Sequence, residues 1–513
     1  MNLRQFAPRF TAVCWLAAVT VPSALGAVRL PKMISDHAVL QRDRPIHIWG
    51  WATPGSHLIA RFHTQTVASD SDALGKWSLY LQPETAGGPY ELTISGDGAE
   101  ARVSDLLVGD VWFASGQSNM EMPLGGFPGS AVVKDGEKEI AAASNPRLRL
   151  LVVPLKSSDI PLNDIAATWT ECKPETAKRF SAVAYFFGRE IAAKENVPVG
   201  LIDSAWGGTP ADAWVSLNTL GSDPALLAAF SSRATFADQQ SDLAARIAAE
   251  KQADADADAA GKPKPSHPWH PNPESWQPAG LYNGMVAPFT PLALKGFLWY
   301  QGETNASHDR APVYDKLMAA LIGDWRLHFA QGTLPFLYAQ ISSYQTSGDD
   351  WGLVREQQRR TLDVTNTGMA VTLDVGQADN VHPPDKQTVG ARLALAARSI
   401  AYGEPIAFQG PSFRQATPEL GKDGRSAIRV WFDHADGLTS RGKPVASFEV
   451  AGTDRHFVPA QAQLEGQTIV VFAPAIEQPM YVRYGWTSVV ENTLYNTAGL
   501  PASTFTSEPR PGR

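Results

Sequence analysis

The sequence predicts an α/β chain in which a parallel sheet with crossover helices lies between two β-rich terminal regions. Three observations predict it. Between Leu106 and Ala401, apolar runs of strand length alternate with stretches of helical period, the pattern of successive βαβ units. On either side, short alternating apolar runs are punctuated by Gly, Pro and Asp, as in antiparallel modules. A length of 513 residues allows two or three folded units, each able to bury its own core.

Composition narrows the classes further. Hydrophobic residues at 44% and charged residues at 19% exclude a mostly disordered chain. The 52 acidic residues outnumber 44 basic ones, so no cationic excess is available to displace counterions from a phosphate backbone, and nucleic acid is not an expected partner. Two cysteines, Cys14 and Cys172, cannot build a disulfide framework or a cysteine-based zinc site.

Residues 1–26 read as an export signal: Arg4 and Arg9 precede an apolar stretch from Phe10 to Val21, and small residues at Ala24 and Gly26 mark the cleavage region. That stretch is too short to span a bilayer. Cleavage would remove Arg4, Arg9 and Cys14, leaving 42 basic against 52 acidic residues, a net charge of −10, and a single buried thiol at Cys172. The expectation is an exported protein, periplasmic or secreted, with no membrane association.

Residues 27–104 form the expected N-terminal β region, with runs such as His47–Ala52 and Tyr90–Ser95. The central unit is expected over residues 105–402, with strands at Leu106–Ala114, Leu148–Val153, Val199–Asp203, Gly296–Tyr300, Pro335–Ile341 and Met369–Asp374. Its helices are expected at Ala182–Asn196, Val313–Ala330, Trp351–Val364 and Asp385–Ala401, the last entered through Pro383 and Pro384, whose missing N–H groups cost nothing there. An insert at about 240–280 interrupts the alternation. It reads ADADADAA over Ala253–Ala260 and then carries six prolines among the next eighteen residues, a composition that joins neither sheet nor helix easily. A solvated surface loop is expected there, with a lid presenting Trp269 and Trp276 to a ligand as the alternative. Residues 403–513 form a second β region, either a module of its own or half of a split sandwich with the first.

In an open parallel sheet, ligands bind beyond the carboxyl ends of the strands. Four strand ends carry chemistry. The first leads into Gly116-Gln117-Ser118-Asn119-Met120, where a serine in a tight turn can present its Oγ. The others lead to the Gly207-Gly208 pair, to Gln301-Gly302-Glu303-Thr304-Asn305, and to Asp379-Asn380-Val381-His382. A hydroxyl, a glycine nest, amide donors and an Asp-x-x-His pair are the parts that acyl transfer requires. Ser118 as a mere helix cap is the plainer alternative. Met120 stands where a G-x-S-x-G elbow needs glycine, which argues against an α/β-hydrolase.

On these residues the sequence resembles the SGNH hydrolases, and among them the sialate O-acetylesterase-like carbohydrate esterases. The resemblance rests on GDVWFASGQSNMEMPL from Gly109, GLIDSAWGGTPADAW from Gly200, FLWYQGETNA from Phe297 and DNVHPPDKQTVGARLA from Asp379, four blocks in the family's order. It implies an SGNH, flavodoxin-like, doubly wound sheet flanked by β-sandwich-like regions. It implies Ser118 as nucleophile, His382 as general base and Asp379 as the carboxylate that orients the imidazole. The oxyanion hole would combine the Ser118 N–H, an N–H from Gly207 or Gly208, and a side-chain amide. Gln301, directly off its strand, is the expected amide, with Asn305 the alternative; Gln117, Asn119, Glu303 and Asn305 are supporting residues. The implied chemistry is removal of acetyl groups from an O-acetylated carbohydrate through an acetyl-enzyme, requiring neither metal nor cofactor. The motifs contain no uninterrupted basic cluster for a sialate carboxylate, which favours a neutral plant polysaccharide such as xyloglucan or xylan over sialic acid.

Other features have plainer readings. Glu303 with Asp379 could imitate a glycosidase pair, but Glu303 is expected to hold its block in shape. Asp203 and Asp374 are expected to cap helices or pair with arginine. Asp36–His37, His308–Asp309 and Asp433–His434 are expected at the surface. His267 and His270 have metal-like spacing but no acidic partner nearby in sequence. Most of the fifteen tryptophans are expected in the core. A glycoside hydrolase and a non-catalytic carbohydrate-binding protein remain the alternative classes.

Overall fold

The computed structural model describes residues 28–510 apart from 228–240, 266, 268–269, 271, 422–423 and 492. The expected export signal and Trp269 lie outside the described residues.

The centre of the molecule is a mixed sheet whose seven main strands are β1 (Ala99–Gly116), β2 (Asn145–Val152), β3 (Trp169–Cys172), β4 (Val199–Ala205), β5 (Gly296–Tyr300), β6 (Phe336–Ala339) and β7 (Thr367–Ala370). Their order across the sheet is β7-β6-β5-β1-β4-β2-β3. All neighbours are parallel except β3, which runs antiparallel to β2 at the edge. β4 and β5 are buried along their whole length, as strands covered on both faces must be. The chief helices are α1 (Ser118–Glu121), α2 (Ala182–Glu195), α3 (Tyr314–Phe329), α4 (Trp351–Arg360) and α5 (Lys386–Ile400). α2 starts at Ser181, whose side chain accepts the Ala184 N–H, and α5 at Asp385, which accepts that of Thr388. Phe113, Phe297 and Trp325 meet edge-to-face between β1, β5 and α3, with centroids 5.4 to 6.4 Å apart. Trp112, Trp214 and Trp299 are also fully buried.

Three expectations need correction. The boundary expected at 104/105 falls inside β1, one strand of 18 residues. Its first part alternates between more and less exposed residues and pairs antiparallel with Gly87–Gly96 as far as Val108; from Leu106 every residue is buried, and from Asp110 the partners in the central sheet are parallel. One strand thus serves two sheets, and the N-terminal β strands share a hydrophobic core with the α/β unit. Second, the ADADADAA stretch is helical, because Ser241–Ala259 forms one helix in which alanine's helix propensity prevails. Third, His267 and His270 do have acidic partners: their Nε2 atoms lie 2.9 Å from Asp254 and 2.7 Å from Glu250 of that helix.

The C-terminal residues form two four-stranded antiparallel sheets closing on their own core of Ile428, Val430, Val450, Ile469 and Val482. That core is separate from the one the N-terminal strands share, so the described residues form no split sandwich from the two termini. Cys172 is buried and free, and burial pushes its thiol up to about 11. No helix among the described residues is long and apolar enough to cross a membrane.

Gly116 ends β1 at a φ of +140°, and a Cβ there would lie 2.2 Å from the Tyr300 carbonyl oxygen. Gly116→Ala is therefore expected to lower the unfolding free energy by about 2–3 kcal/mol through overpacking and backbone strain. A shift of the urea midpoint at unchanged slope would measure it.

Candidate functional site

The strand order reverses at β1, with β5 on one side and β4 on the other, and ligands bind at such a switch point. The three strands are tied where they end: the Gln117 N–H donates to Tyr300 O at 3.0 Å, and the Trp206 N–H to Gly116 O at 3.1 Å. Ser118 is the first residue of α1 and is half-exposed. Neither its N–H nor its hydroxyl is bonded to another described residue, as the first turn of a helix leaves donors free. Gly207 packs against it so closely that a Cβ would stand 3.2 Å from Ser118 Cβ. Gly208 has a φ of +69°, and its carbonyl accepts the Trp276 indole N–H at 2.7 Å. Trp276 is 8% exposed, so it braces the glycine turn from behind.

A buried polar junction joins these segments to the one bearing His382. Asn119 Nδ2 donates to Glu303 Oε1 at 2.6 Å and to Val381 O at 3.0 Å. Its Oδ1 accepts from Lys386 Nζ, in the first turn of α5. Asn119 and Lys386 are fully buried; Glu303 is half-buried, and its Oε2 is buried with no partner among the described residues. Burial holds the Glu303 carboxyl above its ordinary range and brings Lys386 down to about 7, partly offset by attraction to Glu303. Gln117 Oε1 braces the same block by accepting the Gly302 and Thr304 N–H groups, each at 3.3 Å.

The amide expected to serve the oxyanion hole is otherwise engaged. Gln301 Nε2 donates to Thr209 O at 3.1 Å and to Asn305 Oδ1 at 2.7 Å, and its Oε1 accepts from the Tyr314 hydroxyl at 2.8 Å. Asn305 Oδ1 also accepts the Ala211 N–H at 2.9 Å, which fixes the amide's orientation and leaves Nδ2 without a partner among the described residues. The Gly207 N–H donates to Glu121 Oε2 at 2.6 Å, whereas that of Gly208 is bonded to no described residue. Sequence reasoning missed Glu121. Burial raises its pKa, the Gly207 N–H opposing, and also raises that of fully buried Asp203, where the charge of Glu121 adds. Asp203 accepts the Ser181 N–H through Oδ2 and has no partner at Oδ1, so it caps α2 without an arginine. Asp374, by contrast, forms the expected arginine pair, with Arg392 at 2.6 and 2.7 Å.

His382 is half-buried and packs edge-on against Phe127, with ring centroids 5.3 Å apart. Its backbone N–H is held by Asn380 Oδ1 at 2.9 Å. Burial, reinforced by the Lys386 charge, lowers its pKa to about 4. Asp379 is exposed and no hydrogen bond joins it to the imidazole. A cavity of about 260 Å³ adjoins these residues, with Glu121, Phe127, Arg179 and Asp203 among its walls. Among the described residues no three His, Cys, Asp or Glu side chains gather as a metal site needs. Of the adjacent pairs, His37 pairs with Asp105 at 2.6 Å and His308 with Asp350 at 2.7 Å, away from this junction.

Asn119→Ala would leave Lys386 and Glu303 buried without their shared partner. The expected loss of stability is about 3 kcal/mol, read from urea denaturation.

Comparison with known proteins places the chain in a family. Residues 267–399 match the family model described as carbohydrate esterase, sialic acid-specific acetylesterase. The sialate O-acetylesterase of Homo sapiens is 31% identical over 75% of this chain and 73% of its own, and that of Mus musculus 29% identical over 98% of each. A crystal structure of a carbohydrate acetylesterase from Xanthomonas citri is 35% identical, covers 94% of this chain and 100% of its own, and superposes with a TM-score of 0.80. The chain belongs to the sialate O-acetylesterase family of carbohydrate esterases and is a carboxylic ester hydrolase.

Proposed function

We propose that the chain is a serine acetylesterase of the SGNH type that removes acetyl groups from a neutral polysaccharide such as xyloglucan or xylan. The observation that carries the reading is the junction at Asn119, which joins the residue beside Ser118 to the carbonyl beside His382. Neutral His382 takes the Ser118 proton as Oγ attacks the acetyl carbonyl carbon. The oxyanion is held by the Ser118 N–H, the Gly208 N–H and Asn305 Nδ2; Gln301, with both N–H groups engaged, orients Asn305 instead. The imidazolium protonates the departing sugar oxygen. Water then attacks the acetyl-enzyme by the same route, releasing acetate. Asp379 supports the imidazolium only once charge develops on it, since it is not bonded to the ring beforehand. Export through a signal in residues 1–26 would bring such an enzyme to its polymer.

A second reading, removal of acetyl groups from sialic acid, is favoured by the curated relatives' names and by Arg179, exposed at the cavity wall with no ion pair to a described residue. Against it stand a single guanidinium and two carboxyl groups, Glu121 and Asp203, in that cavity. The neutral reading expects faster acetate release from acetylated xyloglucan or xylan than from O-acetyl sialate, with Arg179→Ala changing the polysaccharide rate less than about threefold, as rim residues usually do. Faster release from sialate, lost in Arg179→Ala, would establish the second reading.

Ser118→Ala and His382→Ala are each expected to lower kcat on the order of 10⁴-fold or more, and Asp379→Asn to lower it less than either. Because His382 is a competent base only when neutral and its pKa lies at about 4, activity should persist at mild acidity. The acid limb of kcat/KM should fall near pH 4 rather than near the ordinary histidine value of about 6.5.

A further inference from the structure

A ribbon in the N-terminal region has a face that, apart from Trp49, the core does not use. Ile46–Trp51 pairs with Lys76–Leu81 in the register His47 with Tyr80, Trp49 with Ser78 and Trp51 with Lys76. Strand alternation sends Ile46, Ile48, Trp77, Leu79 and Leu81 into the core. On the opposite face, the His47 ring is stacked between Trp49 at 4.9 Å and Tyr80 at 4.5 Å, and Tyr80 is 59% exposed. Two cavities of about 500 and 540 Å³ lie along this face. They share His47, Thr290 and Pro291, and so form one trough. None of its walls belongs to the segments bearing Ser118, Gly207, Asn305 or His382.

The lining mixes ring faces with hydrogen-bonding groups, as sites for hydroxyl-rich ligands do. On this face His47 Nε2 is buried without a partner among the described residues. The His47 Nδ1–H donates to Pro291 O at 3.2 Å, which leaves Nε2 as an acceptor. A sugar hydroxyl can donate to that nitrogen. The charged residues do not favour an anion: Lys76 and Arg44 are balanced by Asp70 and Asp72.

From this geometry we propose that the trough is a non-catalytic binding site for a neutral glycan chain, which stacks a sugar ring on Tyr80 and places hydroxyls along the ribbon. It would hold the polymer while the catalytic centre removes its acetyl groups, and in that respect it rests on the neutral-polysaccharide reading.

The test is affinity electrophoresis of the full chain in native gels containing chemically deacetylated xyloglucan, deacetylated xylan or polysialic acid, with hydrolysis of 4-nitrophenyl acetate measured in parallel. The unaltered protein should be retarded by xyloglucan or xylan and not by polysialic acid. Tyr80→Ala should weaken that retardation about fivefold or more, as loss of an aromatic anchor does, while Tyr80→Phe retains it. Ester hydrolysis should stay within about twofold in both variants, as for surface substitutions remote from the chemistry. No retardation by either neutral polymer, retardation indifferent to Tyr80→Ala, or equal retardation by polysialic acid would each overturn the proposal. Tyr80-dependent retardation in a protein that releases acetate only from O-acetyl sialate would uphold the trough and overturn the neutral-substrate reading instead.

Discussion

The site depends on one side chain, the amide of Asn119. Its three hydrogen bonds reach the block after β5, the loop before His382 and the first turn of α5, while its backbone adjoins Ser118. Segments nearly 270 residues apart are thus held by a single planar group whose donor and acceptor ends cannot be exchanged. An amide suits this position because it must donate to a carboxylate and accept from an ammonium at once. The junction is costly to leave incomplete, since its partners include a buried lysine and a buried glutamate carboxyl. That cost specifies one arrangement of Ser118 relative to His382.

The sheet supplies the platform on which that junction is built. Where β1 meets β5 and β4, three chain segments leave the same edge, and Gly116 and Gly207 allow them to approach more closely than any side chain would permit. β1 also continues backward into the N-terminal sheet, so the strand that leads to Ser118 is anchored in two packing environments. The C-terminal sandwich is docked through Arg355 of α4, a buried guanidinium whose Nη2 donates to Thr487 O and Ser488 O at 2.7 and 3.0 Å. Its core remains separate from that of the α/β unit.

The four blocks were legible in sequence because each is a polar, glycine-containing segment directly after an apolar run, a contrast that local physics produces. Helices α2 to α5 were legible within a few residues for a similar reason, since periodicity and capping are local. What was hidden depends on which way a side chain turns. Gln301 follows its strand directly, yet Tyr314, Thr209 and Asn305 engage its amide, and Asn305 is left with the free donor. Lys386 drew no reading from the sequence, yet it is fully buried and donates to Asn119. Glu121 lies inside the first block, and only the fold shows that it reaches the Gly207 N–H. The boundary at 104/105 was misplaced because exposure changes near Leu106 while the backbone continues unbroken.

The central claim is that Ser118, held beside this junction, is the nucleophile. Stoichiometric treatment with a fluorophosphonate, followed by peptide mapping in the mass spectrometer, tests it most directly. The account predicts loss of esterase activity in step with one phosphonyl adduct on Ser118, and no adduct when His382 is replaced by Ala. Full activity after saturating treatment, or inactivation with the adduct on another residue, would contradict it.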